Sequence, residues 1–154
     1  MGIVAPGLWA LAGHAQGGSM VARRMNVKVE PVKILLIDHE TYRIQSLSRG
    51  LRIVGHQVFE AKTLQQALAC IRHEAFHPDL IVTDCSTRIL CNPEMIQTVQ
   101  ERLPGIQVVA TRDFGPERRV LDSLPWPVHY LDKPFTDVEL LRLVETAGPE
   151  AKTY

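Results

Sequence analysis

The sequence predicts an α/β fold, in which a doubly wound parallel sheet of five strands carries helices on both faces. Three short apolar runs support this prediction, and they end at Asp38, at Asp84 and just before Lys133. Because the runs lack polar alternation, they are typical of strands buried on both faces of a parallel sheet. Helical periodicity separates them, which indicates successive βα units joined by right-handed crossovers.

The first βα unit starts at residue 33. An apolar strand over 33–37 precedes a helix over about 40–54, in which apolar residues recur three and four positions apart. These residues are Ile44, Leu47 and Leu51. Gly55 ends the helix. A second strand is predicted over 56–61.

The middle of the chain contains two helix starts with recognisable caps. Thr63, with Gln66 three residues later, predicts a capping box for the second helix. The strand that ends at Asp84 comes next. Asn92 is then predicted as the N-cap of a third helix, with Pro93 in its first position.

The last part of the domain predicts two more strands and two more helices. The fourth strand covers 106–110. A short helical signal between 114 and 124 is flanked by prolines, and a fifth strand follows over 128–131. Thr136 with Glu139 forms a second predicted capping box, which opens the last helix.

Length and composition predict one domain with extensions. The chain has 154 residues, enough to bury a core of normal size. Its first 22 residues contain no Asp, Glu, Lys or Arg, so they lack the basic start of a signal peptide. We therefore expect residues 1–32 to be a disordered extension, 33–147 to form the domain and 148–154 to be a tail.

Charge and cysteine content narrow the function classes. Basic and acidic residues balance at 17 each, which predicts no binding to nucleic acid or to an anionic membrane surface. No apolar run reaches the ~18 residues of a membrane span. Three cysteines without paired spacing argue against a disulfide framework or a zinc site and favour the cytoplasm. Cys85, directly after Asp84, is left open as a reactive thiol.

The charged residues that end the strands should meet at one edge of the sheet, because ligands of doubly wound folds bind outside the carboxyl ends of the strands. Asp38 and Asp84 would bring two carboxylates to this edge, and Lys133 would bring an ammonium group. This combination suits a hard divalent cation and a phosphoryl group. The alternative is that each Asp only caps the turn after its strand.

Three stretches of the chain read ILLID at 34–38, DLIVTD at 79–84 and YLDKPF at 130–135. With them, the chain resembles the receiver domain of two-component response regulators over about residues 33–146. The resemblance implies a flavodoxin-like fold and a single-domain signalling protein rather than an enzyme. Its phosphoryl donor would be a histidine kinase or a phosphotransfer protein.

The resemblance also implies a role for each matching residue of the site. Asp84 would be the phosphoacceptor, the nucleophile that attacks phosphorus. Asp38, Asp84 and the backbone carbonyl of Ser86 would hold Mg²⁺. Lys133 and Thr111 would bind the phosphoryl oxygens.

The resemblance also implies that the signal is passed on through the last predicted strand. Tyr130 would turn inward when Thr111 moves toward the phosphoryl group, unless it is a static core aromatic. Pro134 would follow a cis peptide bond that aims Lys133. A protein partner or a second copy would dock on the face of the fourth helix, fifth strand and fifth helix. The candidate polar rim residues of this face are Arg118, Arg119, Asp132 and Glu139.

The sequence departs from the receiver pattern around the metal site. His39 stands where the family has a second acidic residue, and imidazole is a poor ligand for Mg²⁺. His39 is therefore expected to weaken magnesium binding unless Glu40 substitutes. In the loop after Asp84, Asn92 can adopt the left-handed conformation that a glycine would supply. Arg112 is expected to narrow access to the phosphate or to pair with it.

Two functions stay open on sequence alone. One is a stand-alone phosphoacceptor receiver, favoured by Asp38, Asp84, Thr111 and Lys133. The other is a pseudo-receiver, a protein-interaction module read without phosphorylation, favoured by His39 and by the altered loop. A flavin site does not fit, because the acidic residues after the first strand would repel its phosphate. A cobalamin site does not fit either, because Asp-x-His-x-x-Gly is absent.

Overall fold

The computed structural model describes residues 2–3, 31–115 and 119–149. The strands are β1 Gly2–Ile3, β2 Lys33–Ile37, β3 Gln57–Ala61, β4 Leu80–Asp84, β5 Gln107–Arg112 and β6 Val128–Asp132. The α-helices are α1 Thr41–Ile53, α2 Leu64–Arg72, α3 Pro93–Arg102 and α4 Asp137–Ala147. Two short 3₁₀ turns, Cys85–Thr87 and Ile89–Cys91, connect β4 to α3.

The sheet has the strand order β1-β3-β2-β4-β5-β6. Strands β2 to β6 are parallel, which confirms the predicted doubly wound sheet of five strands. A sixth strand, β1, was not predicted and pairs antiparallel with β3, Gly2 lying opposite Glu60. Residues 4–30 lie outside the described part of the chain, so the disordered extension over 1–32 stays a prediction. The strand order reverses between β2 and β4, which makes their carboxyl ends the place where ligands bind in such folds.

The core lies in two apolar layers, one on each face of the sheet. Leu35, Ile37 and Ile81 pack on one face with residues of α2 and α3. Ile34 and Leu36 pack on the other face with residues of α1 and α4. Each buried Leu or Ile side chain contributes ~1.5–3 kcal/mol. The apolar runs lack alternation because both faces of the sheet are covered.

Caps fix where the helices begin. Thr136 and Glu139 form the predicted capping box, with both reciprocal hydrogen bonds present. At α2 only half of the predicted box forms. The backbone N–H of Gln66 donates to Thr63 Oγ1 at 3.1 Å, but the Gln66 side chain accepts from the Lys62 N–H instead of the Thr63 N–H.

Asn92 caps α3 as predicted and does not use the left-handed backbone that was open to it. Its side chain accepts from the N–H groups of Glu94 and Met95, and its φ of −69° lies in the extended region. Arg88 takes the left-handed conformation instead, with φ of 54°. The reason is that an N-cap needs extended backbone, so the chain reverses earlier in the loop.

The predicted fourth helix is wrong for the residues that the structure describes. Between β5 and β6 these residues, 113–115 and 119–127, form turns and bends but no helix. Gly115 has φ of 151°, and prolines at 125 and 127 restrict the end of the segment. The docking face predicted from the fourth helix, fifth strand and fifth helix therefore has no described helix between β5 and β6.

His56 predicts a specific loss of stability in acid. The ring is buried, its Nδ1 accepts the Val32 N–H at 3.1 Å, and burial lowers the pKa of His56 to about 4. Between pH 4 and 6.5 the unfolded chain therefore binds a proton that the folded chain excludes, so stability falls as pH falls. Because of His56, we expect the free energy of unfolding to be ~2 kcal/mol lower at pH 5 than at pH 7.

Urea unfolding at the two pH values measures this loss. His56→Gln should flatten the pH dependence, whereas His77→Gln, at an exposed position, should leave it unchanged. An equal pH dependence in wild type and His56→Gln would assign the acid sensitivity to other groups.

Candidate functional site

Asp38 and Asp84 lie side by side at the carboxyl edge of the sheet. Asp38 follows β2 and Asp84 ends β4, and these strands are direct neighbours. Both residues are buried, with exposures of 1% and 3%. A buried carboxylate needs charged or hydrogen-bonding partners, because desolvation of an unpaired charge is costly. The partners of these two residues therefore decide what the site can do.

Three side chains donate hydrogen bonds to the Asp84 carboxylate. The Lys133 Nζ lies 2.6 Å from Asp84 Oδ1, and the Thr111 hydroxyl donates to the same oxygen at 3.0 Å. The Ser86 hydroxyl donates to the other oxygen, Oδ2. Burial raises the pKa of Asp84, but the hydrogen bonds from Lys133, Ser86 and Thr111 outweigh it and hold the pKa below its usual value. The Asp84 carboxylate is therefore ionised at neutral pH.

Local backbone structure positions these partners. Asp84 and Thr111 are paired in register across β4 and β5. Lys133 follows β6, and its backbone N–H donates to the Arg112 carbonyl at 2.9 Å. The Lys133–Pro134 peptide bond is cis.

Arg43 is a site residue that the sequence analysis missed. Its Nε lies 2.7 Å from Asp38 Oδ2, and its Nη2 lies 3.0 Å from Asp38 Oδ1, so the guanidinium engages both oxygens. The same Nη2 is 3.5 Å from Asp84 Oδ2, and Nη1 is 3.0 Å from Glu40 Oε2. The hydrogen bond to Asp38 raises the pKa of Arg43 above its usual range, which keeps it cationic.

A weak signal for Arg43 was present in the sequence. It is the third residue of α1, and the first turn of this helix contains no acidic residue. A cation in a first turn opposes the helix dipole by ~0.3–1 kcal/mol at exposed positions. Such a placement points to a partner elsewhere, here the two strand-end carboxylates.

Asp38, His39 and Asp84 form a group that could hold a metal ion. One possible ligand atom from each lies within 4.8 Å of the others. Two features of the donor set oppose Mg²⁺, which prefers oxygen ligands in octahedral geometry. The Arg43 guanidinium already engages both Asp38 oxygens, and His39 offers a nitrogen from a ring with 57% of its side chain exposed. Glu40, the predicted substitute ligand, pairs with Arg43. The arrangement therefore fits a guanidinium better than magnesium.

Tyr130 and Arg112 are paired with each other beside the site. The Arg112 guanidinium carbon lies 4.1 Å from the centroid of the Tyr130 ring, and Arg112 Nε lies 2.5 Å from Asp132 Oδ1. The Tyr130 hydroxyl donates to Asp122 Oδ1 at 2.5 Å. Arg112 thus has protein partners of its own, and Tyr130 is a half-buried ring held from two sides.

Cys85 is poorly suited to be a reactive thiol. It is 5% exposed, and burial together with the Asp84 charge raises its pKa to about 11. Because the thiolate is the reactive form, little of it is present at neutral pH. The Cys85 thiol is therefore not the reactive group of this edge, and the open question left by the sequence is answered against it.

No helix in the described part of the chain has the length and apolarity that crossing a lipid bilayer requires. This finding concerns only those residues.

Solved structures with the same architecture are known, although no family model and no curated protein matches the sequence. A response regulator receiver protein from Sinorhizobium medicae has 23% identity and a TM-score of 0.61, covering 77% of this chain and 94% of that one. A response regulator receiver domain protein from Clostridium thermocellum has 24% identity and a TM-score of 0.64, covering 75% and 93%. The chemotaxis protein CheY4 of Vibrio cholerae has 23% identity and a TM-score of 0.59, covering 77% and 99%.

These three chains are covered almost completely, so the match extends over whole domains. Identities below 25% support the fold, whereas function has to be argued from the residues of the site. The five parallel strands, their order and the helices on both faces agree with the match. The chain therefore adopts the flavodoxin-like fold of response regulator receiver domains.

Proposed function

We propose that this chain is a signalling module that accepts a phosphoryl group on Asp84 from the phosphohistidine of a histidine kinase or phosphotransfer protein. The observation that carries this proposal is the Lys133 ammonium 2.6 Å from a buried Asp84 oxygen that also accepts from Thr111. An ionised nucleophile beside a fixed cation and a hydroxyl donor is what phosphoryl transfer requires, since positioning and charge neutralisation supply most of its catalysis.

The transfer itself involves one bond made and one bond broken. An Asp84 carboxylate oxygen attacks phosphorus, and the P–N bond of the phosphohistidine breaks with its electron pair going to the ring nitrogen. The ring leaves as neutral imidazole when its other nitrogen carries a proton. Asp84 needs no general base, because its lowered pKa keeps it ionised. The product is an acyl phosphate, whose oxygens replace the carboxylate as partners of Lys133 and Thr111. The module is a phosphoacceptor in signalling rather than an enzyme with a turnover substrate.

The output of the module would be read on the surface around β6. Tyr130 bridges this strand to Asp122 in the β5–β6 connection, so a shift of Thr111 on the neighbouring strand can change that contact. Arg119, Asp132 and Glu139 remain candidate polar residues for a partner or a second copy. Arg118 lies outside the described residues. A cytoplasmic location is part of the proposal and agrees with three free cysteines.

Labelling with a small phosphodonor tests the proposal. Wild-type protein incubated with acetyl phosphate should gain one phosphate by intact-protein mass spectrometry, and the phosphate should be lost at alkaline pH as expected of an acyl phosphate. Reduction with borohydride followed by peptide mapping should locate it at Asp84. An alkali-stable phosphate, or one located elsewhere, would assign the chemistry to another residue.

A second candidate function is a pseudo-receiver, whose surface is recognised without phosphorylation. The specific observation in its favour is the Arg43 guanidinium, which contacts Asp38 and approaches Asp84 where a receiver would hold its metal. This alternative predicts no phosphate incorporation at saturating donor. It also predicts that Asp84→Asn leaves binding of the protein partner unchanged.

A further inference from the structure

Arg43 occupies the space between the two acidic strand ends, and its placement has a consequence for metal use. We propose that the Arg43 guanidinium takes the place of the divalent cation, so that the site excludes metal and Asp84 accepts a phosphoryl group without it. This inference rests on the proposed function of Asp84. It assigns Arg43 a role in the site that neither the strand-end pattern nor the fold predicts.

The geometry favours a resident guanidinium. Arg43 makes a two-pronged contact with Asp38, at 2.7 and 3.0 Å, and planar forks of this kind are the strongest charge-assisted pairs. Glu40 holds Nη1 at 3.0 Å, so the third nitrogen is also fixed. With 31% of its side chain exposed, Arg43 sits at the mouth of the site rather than in open solvent.

A metal ion would have to displace this contact. Asp38 is 1% exposed, and each of its oxygens accepts from Arg43, with Oδ1 also accepting the Glu40 N–H at 3.0 Å. An ion that used Asp38 would therefore break two charge-assisted bonds, and its third ligand in the group with Asp38 and Asp84 would be the imidazole of His39. This exchange is unfavourable for a hard cation that prefers oxygen ligands.

The position of Nη2 explains how Arg43 can serve the transfer. This nitrogen carries two protons, and Asp38 Oδ1 accepts one of them at 3.0 Å. It also lies 3.5 Å from Asp84 Oδ2, beyond a normal hydrogen bond but within reach of an oxygen added to that carboxylate. A phosphoryl group on Asp84 would then lie between the Arg43 guanidinium and the Lys133 ammonium, two cations that match its two negative charges.

Metal binding and labelling together test the inference. Binding of Mn²⁺ is measured by electron paramagnetic resonance, and acetyl phosphate labelling is measured in excess EDTA and in excess Mg²⁺. The proteins are wild type, Arg43→Ala and Arg43→Gln, with Arg49→Ala as matched control, since Arg49 is an exposed residue of the same helix. Circular dichroism checks that each variant folds. The wild-type measurements do not depend on any variant.

We expect wild type to be labelled at the same rate, within about twofold, in EDTA and in Mg²⁺, and to bind no Mn²⁺ at millimolar concentration. Arg43→Ala should bind Mn²⁺, and its labelling in EDTA should fall at least about tenfold and recover with Mg²⁺, as expected when ~1.4 kcal/mol or more of charge stabilisation is lost. Arg49→Ala should behave as wild type.

Two results would overturn the inference while leaving Asp84 as phosphoacceptor. One is wild-type labelling that disappears in EDTA, and the other is equal Mn²⁺ affinity in wild type and Arg43→Ala. Absence of labelling in every condition would instead remove the proposed function and metal-free transfer with it. In that case the Mn²⁺ measurement still decides whether Arg43 excludes the ion.

Discussion

Asp84→Asn is expected to abolish phosphate incorporation from acetyl phosphate. The substitution keeps the size of the side chain and an oxygen that can accept from Lys133, but it removes the anionic nucleophile. The neighbouring carboxylate of Asp38 cannot take over this role, because Arg43 engages both of its oxygens. Intact-protein mass spectrometry of the variant after prolonged incubation measures the outcome.

Asp79→Asn provides the matched control for this experiment. Asp79 immediately precedes β4, so it lies at the opposite end of the strand that Asp84 ends, and it accepts the Lys33 N–H at 3.0 Å. Its amide variant should be labelled at the wild-type rate. Phosphate on Asp84→Asn would move the acceptor role to another residue, whereas loss of labelling in both variants would indicate damage to the strand rather than to a nucleophile.

The meeting of Asp38, Asp84 and Lys133 could be predicted because it follows from chain direction. In a parallel sheet every strand delivers its last residue to the same edge, so a charged residue after an apolar run has a known destination. Strand identity alone was enough to place these three side chains. Thr111 was expected at the site only through the family resemblance, and the structure pairs it in register with Asp84.

Arg43 could not be placed by that reasoning, because it lies on a helix. Which residue of a first turn reaches back to the strand ends depends on the rotation of the helix about its axis, and apolar periodicity fixes this rotation only roughly. The sequence gives a charge pattern there, with Glu40 three residues before Arg43, that also suits a simple surface pair. Only the distances to Asp38 separate the two interpretations.

The sequence analysis did not predict the β5–β6 connection or strand β1 correctly, and the physical reasons differ. Between 114 and 124 the helical signal was short, and tertiary context with glycine and flanking prolines decided against a helix in the described residues. The pairing of Gly2–Ile3 with β3 joins residues almost sixty positions apart. Two residues carry no periodicity, so long-range pairing of such a short strand leaves no local signal.

Lys133→Met is expected to slow labelling of Asp84 by about 100- to 1,000-fold, the loss typical of removing one preorganised donor to developing charge. Methionine keeps the unbranched shape of the side chain but removes the ammonium group 2.6 Å from Asp84 Oδ1. The variant should also raise the pKa of Asp84, because the Lys133 hydrogen bond lowers it in the wild type. Initial labelling rates with acetyl phosphate, measured across pH 4 to 8, report both effects.

Lys33→Met is the control, since Lys33 is exposed at the start of β2, far along the strand from the carboxyl edge. Lys133→Arg distinguishes charge from shape, because it keeps the cation and changes its donor geometry. If Arg43 neutralised the site on its own, Lys133→Met would lower the labelling rate less than about tenfold, or ~1.4 kcal/mol of activation free energy. A labelling rate lowered by about 1,000-fold, the upper end of the expected range, would instead mean that the two cations act on different oxygens. That division matches the geometry, in which Lys133 contacts Oδ1 and Arg43 approaches Oδ2.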